Sequence, residues 1–207
     1  MKQLLAQITG GFNFTNSIKE DSYNLFVQYG QEDTAKHCVK VANEAKRLAK
    51  LFGLDNESAL TASFLHDIGR LLPGNIMVEA AYELGIEVLE EELAFPEILH
   101  QKISRVLAKE LFEVKDAEVL NAIECHTTLR SKAKSLDMVL FLADKLSWDR
   151  EFNQQFINKV NEGLNKSLEH ACYGHIKYLY DNRENLKVLH PWTKEAYIYL
   201  TQKLKGV

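Results

Sequence analysis

Proline and glycine are scarce in this chain, with three and ten among 207 residues. So few turn formers argue against a sandwich or barrel and favour helices. Cysteine is scarce too. Cys38, Cys125 and Cys172 form no CxxC pair and are odd in number. That excludes a disulfide framework and implies a reducing, cytoplasmic compartment. No stretch approaches the ~20 apolar residues of a membrane span. The apolar run near Met1 is too short for a signal peptide. Positive charge is not in excess: the net charge is −4, so the overall field does not draw nucleic acid. A P-loop glycine pattern, an internal repeat and a serine or cysteine nucleophile arrangement are all lacking. Cys125 adjoins His126, but neighbours on a helix point apart, which speaks against a dyad.

What remains is an ordinary globular composition, 46% apolar and 26% charged, enough for one substantial core. Apolar spacing is helical almost throughout, so the expected class is all-α. Residues 1–16 read as a loose start around Gly10-Gly11. A short helix runs from Ser17 to about Tyr29. A longer one, capped by Asp33 or Thr34, ends at Gly53 in a left-handed cap. Asp55 and Asn56 start a helix that reaches Gly69. Further helices are expected from about Ile76 to Leu84, from Pro96 to Phe112, from Asp116, and from Ser135 or Leu136. The acidic run Glu87 to Glu92 reads as a solvated face or turn. Beyond Arg150, helices continue to the end, broken at His190-Pro191.

The distinctive feature is His66-Asp67, set in Phe64-Leu65-His66-Asp67-Ile68-Gly69-Arg70 at the end of an apolar helix. An imidazole beside a carboxylate is costly to bury unless something pairs with both. Of seven histidines, His37, His66, His100 and His126 each fall on a separate expected helix or at its end. Asp144 lies in the most apolar helix of the chain, where an aspartate is rare unless paired. Each has an ordinary explanation taken singly: a surface histidine for His37, a helix-end cation for His126, a salt bridge to Lys145 or Arg150 for Asp144. In order they make the pattern H…HD…H…H…D. Six N/O donors exceed the shell of one structural zinc. They suffice for two cations ~3.5–4 Å apart, with Asp67 as a bridge and room for water and substrate. Mixed imidazole and carboxylate ligation suits iron, manganese, zinc or cobalt.

These residues resemble the HD-domain metal-dependent phosphohydrolases, and within them the bacterial YqeK-like group, known for symmetrical hydrolysis of diadenosine tetraphosphate to two ADP. The match covers about residues 34–150. It runs through His37-Cys38-Val39, Leu65-His66-Asp67-Ile68-Gly69-Arg70, Ile98-Leu99-His100, Ala122-Ile123-Glu124-Cys125-His126-Thr127-Thr128 and Leu142-Ala143-Asp144-Lys145. The resemblance implies an HD-domain helical bundle with additional C-terminal helices, the catalytic core at about 20–150 and the extension at about 151–207. It implies metal ligation by His37, His66, Asp67 and Asp144. His100 and His126 look like the extra ligands of a two-metal subgroup that often carries iron, so the cofactor expected is two divalent or mixed-valence ions. Asp67, His66, Arg130 and Lys145 are the expected catalytic residues. Arg70, Thr127, Arg130, Lys145 and Arg150 are expected at the substrate, with Lys36, Lys102 and Arg105 as weaker phosphate candidates and Trp148 as a base-stacking one. The expected reaction is attack of a metal-bound hydroxide on a phosphoanhydride of a nucleotide. An HD hydrolase of nucleoside monophosphates, alarmones or cyclic dinucleotides, and a non-catalytic nucleotide-binding module, stay open beside it. Gln101-Lys102-Ile103 after the third histidine, and Lys145 to Arg150 after Asp144, depart from the usual family wording. His170, His175 and His190 are assigned no role. The tyrosine-rich tail reads as core or as a homodimer surface; no nucleic-acid or membrane partner is expected.

Overall fold

A computed structural model describes residues 1–147 and 154–206. Trp148 and Arg150 lie outside the described residues. Among those described, the chain is helical without strands. In order the helices are α1 (Lys2–Thr9), α2 (Ile18–Gln28), α3 (Glu32–Phe52), α4 (Asn56–Leu65), α5 (Met77–Glu83) and α6 (Glu90–Ala94), then α7 (His100–Leu111), α8 (Ala117–Cys125), α9 (Ser135–Leu146), α10 (Gln154–Leu164), α11 (Leu168–Asp181) and α12 (Pro191–Lys205). None of them is long and apolar enough to cross a membrane.

Local chemistry sets most of the boundaries. Ser17, Asp55 and Asp116 each cap a helix by accepting a backbone N–H with the side chain, which satisfies one of the donors a helix start leaves over. Gly53 closes α3 at φ 70°, a left-handed cap that a Cβ would penalise.

Four expectations are corrected. Residues 1–16 hold a helix, because Leu4 and Ile8, one turn apart, are buried in an apolar cluster that also holds Leu25 and Phe26 of α2; two anchors are too few to show as periodicity. Helix α3 begins at Glu32 after Gln31, which places Asp33 in the first turn, where its charge favours the dipole. Helix α4 stops at Leu65, and the chain turns through Asp67 into a 3-10 helix at Ile68–Leu71. The segment opened by Pro96 likewise starts as a 3-10 helix, Pro96–Leu99, before α7.

Buried side chains form two apolar clusters. One joins α3, α4, α8 and α9 to α10, α11 and α12, with Phe141, Leu48, Leu65 and Ile123 fully buried. The other joins α1, α2, α5 and α7 to the turn after α4, around Phe26, Ile68, Leu99 and Ile103. Each such Leu or Ile contributes ~1.5–3 kcal/mol by leaving water. The candidate ligands lie on the seam. Leu65 belongs to the first cluster and Ile68 to the second, with His66 and Asp67 between them. On α3 the same change occurs around His37, with Ala35 and Cys38 in the second cluster and Val41 in the first. The C-terminal helices share the first core with α9, and Tyr180 stacks on Tyr197 at 3.9 Å within the tail.

A buried ionic group ties the tail to α7. Glu92 is fully buried, accepting from Lys102 Nζ at 2.8 Å and facing His190 Nε2 at 3.3 Å. His190 also caps α12, its Nδ1 accepting from the Trp192 N–H, so the Nε2–H is the one that donates to Glu92. The acidic run is therefore not wholly a solvated face. Its third glutamate in α6 points inward, because a lysine from α7 and a histidine 98 positions onward meet it there. Replacing Lys102 by Met leaves that carboxylate without its ammonium. Urea denaturation should show a loss of ~3–5 kcal/mol, with the Glu92→Gln, Lys102→Met pair recovering much of it. An unchanged midpoint for Lys102→Met would show the pair to be without consequence.

Candidate metal centre

Three of the four histidines are held by one local device. His66 Nδ1 lies 2.7 Å from the Ser63 carbonyl and His126 Nδ1 2.8 Å from the Ile123 carbonyl. His100 Nδ1 meets the Glu97 carbonyl in the same way. A carbonyl can only accept, so each Nδ1 carries the hydrogen and each Nε2 presents a lone pair. His66 and His126 are the residues that cap α4 and α8. The carbonyls they engage belong to last turns, whose acceptors have no helical partner. Helix ends thus fix the tautomer a metal ligand needs.

The three Nε2 atoms converge on Asp67. Its Oδ1 is 3.2 Å from His100 Nε2 and 3.5 Å from His126 Nε2, and its Oδ2 is 3.5 Å from His66 Nε2. His100 and His126 face each other at 3.0 Å, Nε2 to Nε2. Asp144, from α9, brings Oδ1 to 3.0 Å from His37 Nε2 and 3.8 Å from His66 Nε2. His66, His100, His126, Asp67 and Asp144 are all buried, and His37 stands at the open side. The six residues singled out by the spacing are therefore brought together. The atoms form two groups that could each hold an ion, His37–His66–Asp67 and Asp67–His100–His126, with Asp67 common to both.

The donor chemistry fits a cation. With its Nδ1 donating to Ser63, His66 Nε2 is buried and finds no hydrogen-bond partner. Lone pairs of His66, His100 and His126 point at carboxylate oxygens, which are acceptors too. Such a set is unfavourable by itself and is satisfied by positive charge at its centre. Burial pulls the His66 imidazole from its usual range to about 4 and that of His100 to about 3, so both are neutral and able to ligate at neutral pH. Burial alone would raise the Asp67 carboxyl. The Arg70 guanidinium beside it outweighs burial and holds the group well below the ordinary range. Asp144 is held low in the same way, burial being outweighed first by Lys145 and then by the hydrogen bond with His37.

Two cations flank the cluster. Arg70 Nε donates to Asp67 Oδ1 at 2.7 Å and its Nη2 reaches His100 Nε2 at 3.2 Å. Lys145 Nζ donates to Asp144 Oδ2 at 2.7 Å. Arg70, Lys145 and Thr127 line a cleft of about 310 Å³ that opens onto His100 and Asp144. The Thr127 hydroxyl lies 3.1 Å from His100 Nε2. Gln101, fully buried, holds this corner. Its Oε1 accepts from the Thr127 N–H and its amide meets the Thr128 hydroxyl. Thr193 of α12 donates to the Thr128 carbonyl from the other side.

Arg130 is placed elsewhere. Its guanidinium donates to Asp137 Oδ2 at 2.9 Å and faces Glu124 at 3.8 Å, because Asp137 sits fully buried at the start of α9 and draws it there. Lys102 is committed to Glu92 and the Glu87 carbonyl, Arg105 lies 3.6 Å from Glu124, and Lys36 is exposed beside Asp33. Gln101, Thr193 and Glu92 were not among the expected site residues. For Gln101 the signal was its place beside His100.

Comparisons with known proteins place the chain in a family. The family model described as HD domain matches residues 34–149. A Lactococcus lactis subsp. cremoris protein, described as an uncharacterized protein in the pepC 5' region, is 43% identical over 69% of this chain and 72% of its own length. The Bacillus subtilis protein named bis(5'-nucleosyl)-tetraphosphatase, symmetrical, is 30% identical over 77% of this chain and 84% of its own. A solved structure from Clostridium acetobutylicum, titled a predicted HD superfamily hydrolase involved in NAD metabolism, superposes with a TM-score of 0.81. It is 29% identical, and the match covers 93% of this chain and all of that one.

Two outcomes follow from the geometry. A Cβ on Gly69 would stand 2.4 Å from the His100 carbonyl oxygen and 2.9 Å from the Ser104 nitrogen. Gly69→Ala must push the turn carrying Asp67 and Arg70 away from α7. We expect ~1–3 kcal/mol of lost stability and ~10–100-fold weaker metal retention, read by thermal melting and elemental analysis; wild-type metal content in this variant would contradict it. The second outcome concerns acid. His66 and His100 take up protons near pH 6.5 when unfolded and only near about 4 and 3 when folded. Their contribution is whole above about pH 6.5 and is lost as pH falls toward those values. Asp67 and Asp144 shift loss in the same direction further down. Chelator-treated protein should melt at steadily lower temperature from about pH 7 to about pH 5, and a flat profile would count against neutral buried imidazoles.

Proposed function

The chain belongs to the HD-domain family and is a hydrolase, and we propose that it cleaves dinucleoside polyphosphates, diadenosine tetraphosphate to two ADP being the expected reaction, with two divalent ions, iron first among them. The observation that carries this reading is the pair of three-ligand groups sharing Asp67, a layout for two adjacent cations and not for one closed structural site. The name of the Bacillus subtilis relative, which matches over most of its length, supports the choice of substrate.

Bound divalent ions supply polarised phosphoryl oxygens and a water of lowered pKa. His37, His66, Asp67 and Asp144 would hold one ion; Asp67, His100 and His126 would hold the other. The chain's own part is positional and electrostatic. The Ser63, Glu97 and Ile123 carbonyls keep the imidazoles aimed inward. Arg70, beside Asp67, and Lys145, beside Asp144, place fixed positive charge in the cleft where a polyphosphate accumulates negative charge in the transition state. Thr127, on the cleft wall between them, offers a hydroxyl to a phosphate oxygen. Arg130 is not given a part, since it does not line the cleft. Manganese, cobalt and zinc fit the same nitrogen and oxygen donors as iron.

The test offers diadenosine tetraphosphate and a panel of mononucleotides, alarmones and cyclic dinucleotides to protein loaded with iron, manganese or cobalt. ADP should be the single product from the first. Asp67→Ala and His66→Ala should lower turnover at least about a hundredfold and empty the site. No turnover of any nucleotide with any of these metals would remove the proposal.

A further inference from the structure

The metal cleft continues into a second hollow. That hollow, of about 340 Å³, shares Phe95, Ile98, Thr127 and Lys145 with the cleft. Beyond this shared wall its lining is Thr128 and residues of the C-terminal extension. His175 and Leu179 project from α11, and Leu186, Val188 and Leu189 from the connection that leads to α12. Those four aliphatic residues are half-buried, neither packed away as core nor surrendered to solvent.

Charge is distributed unevenly along the continuous space. Arg70, Glu97 and the candidate ligands His100 and Asp144 line the cleft alone, and Lys145 lines both spaces. The second hollow is walled mostly by apolar side chains, with Lys145, Lys187, the buried His175 and His190 imidazoles, Thr193 and the Thr127 and Thr128 segment as its polar elements. Burial pushes His175 down to about 3, so it is a neutral ring with one donor and one acceptor nitrogen. At the mouth, Lys187 Nζ sits 4.4 Å over the Phe95 ring. A ligand complementary to this whole path is anionic at one end, flat and apolar with a few polar edge atoms at the other. Its apolar part must be small, because ligand pockets begin at about 300 Å³. Nucleotides have this division of chemistry.

We propose that the C-terminal extension forms a nucleobase chamber, in which the base and ribose of one nucleotide unit lie against Leu179, Leu186 and Val188 while its phosphates stay in the cleft beside Arg70 and Lys145. The assignment rests on the hydrolase reading for the identity of the ligand as a nucleotide. It gives the tail a role in recognition that the metal ligands, which touch only the phosphate end, do not supply. It also makes Thr127 the pivot, since that residue faces both spaces.

The test measures affinity, not turnover. Manganese-loaded full-length protein is titrated with ADP and, separately, with pyrophosphate. Wild type should prefer ADP at least tenfold. Leu186→Trp and Val188→Trp, both in the irregular connection and outside any helix, should each reduce that preference at least tenfold by filling the chamber. A preference that is absent in wild type, or unchanged in the variants, overturns the proposal. Photolabelling of unaltered protein with 8-azido-ADP avoids any effect of substitution on folding. Label on the peptides spanning 171–190 is expected, and label confined elsewhere overturns the proposal. Failure of the metal-loaded protein to hydrolyse any nucleotide would remove the proposed reaction while leaving the ADP preference standing. Hydrolysis without that preference would remove the chamber alone.

Discussion

The structure depends on one electrostatic constraint: a buried aspartate faced by imidazole lone pairs that cannot hydrogen-bond to it. Asp67 receives Nε2 atoms from His66, His100 and His126 within 3.5 Å, and all three rings have spent their hydrogen on backbone carbonyls. Acceptors held this close in a low-dielectric interior repel, and the repulsion is offset only by positive charge. Arg70 supplies part of it from the rim. The remainder is what makes the cluster a receptor for cations. The rest of the fold reads as support for this arrangement, because nothing less than packed helices on every side would keep six donors from turning away.

That support is anchored in the helix that carries Asp144. From Leu136 to Asp144 every residue of α9 is buried, so the helix is enclosed by α3, α4, α8 and α11. An enclosed helix cannot rotate to expose its carboxylate. Asp144 therefore meets His37 and Lys145 from a fixed position. Opposite it, Gly69 lets the turn after α4 press against the first residues of α7, where a side chain would collide with the His100 carbonyl. Small and large residues thus serve the same end. One brings the ligand-bearing backbones together, and the other prevents them from relaxing apart.

The parts of this that could be read in the chain are those whose cause is local. Asp55, Asp116, Ser17 and Gly53 announce their helix ends because capping works over three or four residues. The clustered histidines and aspartates were visible because such residue types are rare in apolar settings. What escaped the reading is set by partners far along the chain. Glu92 looked like one of several solvated glutamates, and its burial depends on His190 and Lys102. Arg130, one turn beyond His126, donates to Asp137, a residue whose own burial no local pattern discloses. The end of α4 was read late because Ile68 continues the apolar spacing. The chain abandons the helix there to put Asp67 on the seam between the two cores.

In the proposed reaction, metal donors and flanking cations would recognise phosphate, which every nucleotide shares, and would confer reactivity with little selectivity. Selectivity needs a surface that contacts the part of the substrate that differs. The tail is tied to α6, α7 and the turn after α8 at two points: Glu92 and Lys102 hold His190, and Thr128 holds Thr193. Both ties end on residues beside ligand positions, Lys102 two places after His100 and Thr128 two places after His126. The walls of the apolar hollow and the imidazoles of the metal centre are therefore positioned by the same few buried contacts. A shift in either would be felt at the other, since close-packed interiors transmit displacement and do not absorb it.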